Sequence, residues 1–344
     1  MSRRTTTPLQ PPPLRQAQAG TVDHDEGAAE LPIAGLMQML GEWASGAGLT
    51  TTHSPHTRGV GGVGGPAKFL FIHGLIGAGK STLCRRLQND LGGFSGGRVQ
   101  LLAEPDFVNF PISAEFSQSL QPRGNGNGNG KAAVETETGR VPAIRKALQG
   151  EGGQLNLLEL LYGNPAAYAG DFQDLVMLEK LHQLDEATQR GDRGGGGGHS
   201  TLVVDTSVLS DAHVFTPALR LEGALDPLET LRIQRLFDDL VYPRFRQLAP
   251  PECTVLVYLR ASPQLCLERI RRRNRPEERD ADAVPLAYLE LLEGYLETLF
   301  CSSGGWLQGH GYRVVELDGE LDTQQQAAAW NQQVARLLHE AGLG

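Results

Sequence analysis

After residue 68 the chain alternates short apolar runs with stretches whose apolar positions recur at helical spacing. Runs at 69–72, 99–103, 201–204, 254–259 and 312–317 read as strands. Helical spacing covers 80–91, 155–162, 171–190, 227–247 and 285–300, with further helices starting at 263 and about 323. Strands separated by helices predict an α/β fold, a five-stranded parallel sheet with helices on both faces. Ligand sites in such a sheet lie at the strand C-termini. Two glycine-bearing stretches, about 113–154 and 191–199, read as flexible surface insertions within one domain spanning 66–344. Residues 1–65 are too rich in proline, glycine and threonine to build a core. They read as a disordered extension with one short amphipathic patch at 31–43.

Composition removes several classes of protein. No apolar run approaches the ~20 residues of a membrane span. The formal net charge of −9 argues against general nucleic-acid binding, so any anion site must draw on local positive charge. Cys84, Cys253, Cys266 and Cys301 show no Cys-x-x-Cys spacing and read as reduced thiols. The first twenty residues hold Arg3, Arg4 and Arg15 and no acid. That suits either an organellar transit peptide or an ordinary tail, which leaves cytoplasm, mitochondrion and plastid open. His53 and His56 fall in this tail and read as solvated side chains.

The break between the first strand and the first helix carries the clearest chemistry. Gly74-x-x-x-x-Gly79-Lys80-Ser81 is a complete phosphate-loop pattern in its strand-to-helix setting. Gly74, Gly77 and Gly79 allow backbone N–H groups to turn inward around phosphate oxygens. The helix start at Lys80 adds its positive dipole end. Lys80 would reach the β- and γ-phosphates, and Ser81 would ligate Mg²⁺. The chain is therefore expected to bind a nucleoside triphosphate.

Two acids follow apolar strands and should share the sheet edge with that loop. Glu104 suits a base for an attacking hydroxyl, and Asp205 suits an acid near Mg²⁺; the plainer alternative for each is a helix cap or surface acid. The segment Arg269-Ile-Arg-Arg-Arg-Asn-Arg275 places five arginines within seven residues. It reads as an arginine-rich lid over the γ-phosphate, in preference to a solvated face.

With these residues in place, the chain from Lys68 onward resembles the deoxynucleoside kinase family, apart from the two glycine-bearing insertions. Gly74-Leu-Ile-Gly-Ala-Gly-Lys-Ser-Thr82 is similar to the family's phosphate loop, which implies ATP contacts from Gly74, Gly77, Ala78, Gly79, Lys80, Ser81 and Thr82. Ala103-Glu104-Pro105 resembles the Glu-Pro motif, whose glutamate deprotonates the 5′-hydroxyl. Leu160-Leu161-Tyr162 with Asp171-Phe172-Gln173 looks like the nucleoside-binding segment. The resemblance implies that Tyr162 contacts the sugar, Phe172 stacks on the base and Gln173 pairs with its edge. The stretch from Val204-Asp205-Thr206-Ser207 to Asp211 resembles the Glu/Asp-Arg-Ser segment, and 269–278 resembles the lid. There Arg273 and Arg275 would stabilise the transferring group, and Glu278 would reach the sugar.

The resemblance implies a P-loop NTPase fold, Mg²⁺ and ATP as cofactor and donor, a deoxynucleoside acceptor in nucleotide salvage, and a homodimer. Three departures bear on activity. Thr206 stands where the family usually has arginine, Lys180 stands where its nucleoside-binding helix offers arginine, and 106–110 lacks the usual tryptophan. Asp211, the partner acid, is retained, which favours deoxycytidine or a purine deoxynucleoside over thymidine. Thr206 also motivates a second expectation, a catalytically weak nucleotide-binding subunit of a larger assembly. A P-loop kinase for another small hydroxyl compound is the third.

Overall fold

A computed structural model describes residues 68–94, 98–112, 144, 148–149, 154–193, 200–275, 284–321 and 326–343. All belong to the compact unit Gly59–Gly344. The extension 1–65, most of 113–154 and residues 194–199 lie outside the described residues.

β1 (Lys68–His73) leads through the phosphate loop into α1 (Lys80–Phe94) and then β2 (Arg98–Leu102). Three two-residue strands follow: β3 (Phe110–Pro111), β4 (Leu148–Gln149) and β5 (Gln154–Leu155). Helices α2 (Leu157–Gly163) and α3 (Pro165–Arg193) precede β6 (Ser200–Asp205). Next come α4 (Val208–Ser210), a π-helical turn at Asp211–Phe215 and α5 (Thr216–Leu221). A second such run comprises α6 (Pro227–Leu236), a π-helical turn at Phe237–Val241 and α7 (Tyr242–Leu248). β7 (Thr254–Arg260), α8 (Pro263–Arg273), α9 (Leu286–Cys301), α10 (Trp306–Gly309), β8 (Arg313–Asp318) and α11 (Ala327–Glu340) complete the order.

The main sheet is the expected five-stranded parallel one, in the order β2-β6-β1-β7-β8 with helices on both faces. Its inner strands β1 and β7 are buried along nearly their whole length, as continuous apolar runs covered on both sides must be. Phe71 packs against Phe245 of α7 at 5.2 Å, and Tyr258 of β7 stacks on Phe300 of α9 at 5.1 Å. Each such ring, fully buried, contributes roughly 1.5–3 kcal/mol of transfer free energy.

Register fixes what stands at the functional edge. Ile72 pairs with Asp205 and Leu102 with Val204, so the exits of β1, β2 and β6 lie side by side. The phosphate loop, Glu104 and Asp205 therefore leave the sheet at one end.

Several elements differ from the sequence expectation. Leu155 belongs to a strand, because Asn156 caps α2 by accepting a hydrogen bond from the Glu159 N–H at 2.9 Å. α3 begins at Pro165, six residues before the expected 171, since proline is well suited to a first helical turn. The small antiparallel sheet β3-β5-β4 and the helical run from Val208 to Leu221 were not expected at all. The small sheet seats a second apolar cluster of Phe107, Leu155, Leu157, Leu160 and Tyr168, against which Phe172 packs.

Candidate functional site

The phosphate loop takes its shape from backbone that only glycine tolerates. Gly77 and Gly79 have φ of +83° and +104°, in the region L side chains avoid. A Cβ on Gly77 would also lie 2.6 Å from the Cys266 carbonyl oxygen of α8. The Ala78 N–H donates to the Leu75 carbonyl at 3.1 Å, which closes the turn. Lys80 bends back so that its ammonium donates to the Gly74 and Leu75 carbonyls at 3.2 and 3.0 Å. Ser81 donates to Asp205 Oδ2 at 2.5 Å, while Asp205 Oδ1 is buried without a hydrogen-bond partner. A hydroxyl and a half-satisfied buried carboxylate side by side form a hard oxygen donor pair that fits Mg²⁺.

A cleft of about 900 Å³ opens over this loop. Ala78, Gly79, Lys80, Ser81 and Thr82 line it together with Arg272, Arg273 and Arg275. Arg269 anchors α8 to the loop by donating to the Ala78 carbonyl at 3.0 Å. The helix stops at Asn274, whose left-handed backbone (φ +50°) is a common C-terminal device. Five arginines in the segment are thus divided among anchoring the loop, walling the cleft and facing solvent. Glu278 lies outside the described residues.

The second half of the site forms where α3 passes the ends of β2 and β6. Lys180 of α3 is buried, with its ammonium 2.9 Å from both carboxylate oxygens of Asp211 and 3.8 Å from Glu104 Oε1. Burial alone would lower the Lys180 pKa, but the charges of Asp211, Glu104 and Asp205 outweigh it and the pKa is raised. The ammonium stays charged. Asp211 opens the first π-helical turn, a kind of irregularity frequent at functional sites. Thr216 closes that turn by donating to the Asp211 carbonyl at 2.8 Å and also lies 3.3 Å from Gln173 Oε1. Gln173, Asp211, Lys180 and Glu104 are thereby joined in one chain of contacts. Phe172, half-buried, meets Phe107 edge-on at 5.5 Å. Tyr162 sits at the end of α2 beside Tyr288 of α9, whose hydroxyl pKa is raised by burial with a contribution from Tyr162.

Two further residues shape the site, and the first was not among the sequence expectations. His73, the last residue of β1, is fully buried and lies 2.7 Å from Ser210 Oγ through Nδ1 and 3.4 Å from Ser207 Oγ through Nε2. Burial, with the positive charges of Lys180 and Lys80, lowers its pKa to about 3, so it is a neutral strut between β1 and the turn after β6. A histidine immediately before a phosphate loop was the available signal. Thr206 is the other. Its φ of +67° is unusual for a β-branched residue, its N–H donates to the Ile72 carbonyl at 3.0 Å, and its buried hydroxyl has no partner.

A parallel sheet, a glycine loop opening a helix and an arginine-walled cleft define the P-loop NTPase fold. Comparison with known proteins narrows the class. A family model described as "Deoxynucleoside kinase" matches residues 70–337. The chain is 27% identical to deoxycytidine kinase 2 of Gallus gallus over 232 residues, covering 67% of this chain and 72% of that protein. It is 24% identical to the mitochondrial deoxyguanosine kinase of Xenopus laevis over 235 residues, with the same coverage. Deoxycytidine kinase 1 of Xenopus laevis is 30% identical over 143 residues, 42% of this chain and 51% of that protein. The chain belongs to the deoxynucleoside kinase family. It is accordingly a nucleotide-binding member of a kinase family whose members phosphorylate small-molecule nucleosides with an ATP-type donor. No helix among the described residues is long and apolar enough to cross a membrane.

Proposed function

We propose that this kinase transfers the γ-phosphoryl group of ATP to the 5′-hydroxyl of a deoxynucleoside, giving the 5′-monophosphate and ADP in nucleotide salvage. One observation carries the reading: the phosphate loop with its Ser81–Asp205 pair and the Glu104–Lys180–Asp211–Gln173 chain occupy a single sheet edge. Loop amides and Lys80 hold the donor phosphates. Glu104 accepts the hydroxyl proton, the freed oxygen bonds to the γ-phosphorus, and the β–γ bridging oxygen leaves on ADP. Arg273 and Arg275 offset charge on the phosphoryl group in flight. Mg²⁺ held by Ser81 and Asp205 would neutralise the phosphate oxygens. Gln173, Asp211 and Lys180 read the base edge, Phe172 stacks on the base, and Tyr162 and Glu278 hold the sugar. An intact Asp211 and a donor–acceptor amide at Gln173 favour deoxycytidine or a purine deoxynucleoside, whose exocyclic groups complement them.

The test is ADP release with Mg-ATP and each of the four deoxynucleosides, with Lys80→Ala as the blank. A signal with one or two of them is expected. Glu104→Gln should lower turnover about 10²–10⁴-fold, and near-normal turnover would sink the base assignment. Thr206 favours a second reading, because an uncharged buried residue there leaves the site one cation short of the family pattern. In that reading the chain is a nucleotide-binding subunit with weak catalysis, and it predicts ATP binding without nucleoside-dependent ADP release.

A further inference from the structure

We propose that Lys180 is the positioning residue for Glu104: a single buried ammonium shared between Asp211 and Glu104 holds the general base and ties it to the nucleobase pocket. The inference rests on the phosphotransfer reading above and goes beyond a role for Lys180 in reading the base. Its ammonium lies 2.9 Å from both oxygens of Asp211 and 3.8 Å from Glu104 Oε1, on a side chain only 7% exposed. Lysine suits this duty. Its three donors surround a compact charge and reach carboxylates in different directions.

The alternatives for holding Glu104 are spent elsewhere. Lys80 donates to the Gly74 and Leu75 carbonyls. Position 206, the usual arginine site by resemblance, offers a buried hydroxyl and no charge. The cation beside Glu104 is thus Lys180 of α3. Asp211 and Glu104 in turn share it, so whatever engages Asp211 is felt at the hydroxyl-facing carboxylate.

A kinetic cycle tests this with Lys180→Met, Glu104→Gln, the double variant and Lys180→Arg. Lys180→Met should lower kcat at least about 30-fold and leave the KM for Mg-ATP within about twofold. Once Glu104 is glutamine, the same change should cost under about threefold, since residues acting as a unit are non-additive. Losses that multiply would overturn the proposal. Lys180→Arg should keep the urea-unfolding midpoint yet fall at least about fivefold in kcat; recovery of both would mean that Lys180 only supports the fold. Lys180→Met leaves Asp211 buried and unpaired, so if it fails to fold the cycle is run in Asp211→Asn. Wild-type turnover is measured first, and its absence with all four deoxynucleosides refutes the reaction reading. The Lys180–Glu104 pairing is then read from urea unfolding of the same variants, where coupled midpoints support it and additive ones overturn it.

Discussion

Replacing Gly77 and Gly79 separately by alanine isolates how far the phosphate loop depends on its neighbours. Both carry positive φ, and an L residue there costs roughly 1–2 kcal/mol. Alanine recovers about 0.4–1 kcal/mol by restricting the unfolded chain. At Gly79 the nearest foreign atom to an added Cβ is Leu259 Cδ2 at 3.9 Å, an ordinary contact. Gly79→Ala should therefore cost about 1 kcal/mol or less. At Gly77 the Cβ would meet the Cys266 carbonyl oxygen at 2.6 Å and Ile270 Cγ1 at 3.0 Å. Relieving that overlap means moving α8 backbone, which adds about 1–3 kcal/mol of overpacking. Gly77→Ala should thus cost about 2–4 kcal/mol. Displacing α8 should also pull Arg272 and Arg273 off the cleft wall, lowering turnover more than Gly79→Ala does. Equilibrium urea unfolding followed by far-ultraviolet circular dichroism measures the first effect, and steady-state ADP release the second. Equal destabilisation by the two substitutions would refute the reasoning.

Three further outcomes are expected. His73 titrates at about 3 in the fold against 6.5 when unfolded, so its contribution is complete above pH 6.5 and lost as pH falls toward 3. From pH 7 to 5 this removes about 2 kcal/mol, and His73→Gln should flatten the urea-derived stability profile by that amount. Lys68 donates to the Ala341 and Gly342 carbonyls at 3.1 and 2.6 Å, beyond the end of α11. Lys68→Met should cost about 1 kcal/mol, and hydrogen exchange should speed up first in the last turn of α11; unchanged exchange there would count against the capping role. Asp226 and Glu229 form a reciprocal capping box at the start of α6, so Asp226→Ala should cost about 1 kcal/mol in the same unfolding assay, and no loss would show that the cap is dispensable.

The strands and the phosphate loop were legible because their signals are local. Phe69 to Ile72 is an unbroken apolar run, and Gly79-Lys80-Ser81 needs no partner to be recognised. Parallel order then placed Glu104 and Asp205 on the right edge. What escaped has physical reasons. Two-residue strands such as Leu148–Gln149 are too short to display alternation. The run from Val208 to Leu221 hides its helical spacing because the π turn at Asp211–Phe215 inserts a residue and shifts the phase. The contact of Lys180 with Glu104 joins residues far apart in sequence, and no spacing rule reaches that distance. The arrangement of Lys180 opposite Asp211 was expected only through resemblance, and the left-handed backbone of Thr206 from nothing in its residue type.

The close seat of Gly74 against the Leu259 carbonyl and of Gly77 against Cys266 has a consequence for the order in which this chain matures. The loop is encoded near the start of the domain, yet its walls are supplied by β7 and α8, synthesised much later. A nascent chain that has released β1, α1 and even β6 still lacks the surface against which the loop sets. Loop closure over that separation is slow and entropically costly until β7 docks. Phosphate binding should therefore be among the last properties acquired during folding, and a chain truncated before Thr254 should bind no nucleotide despite carrying every residue of the motif.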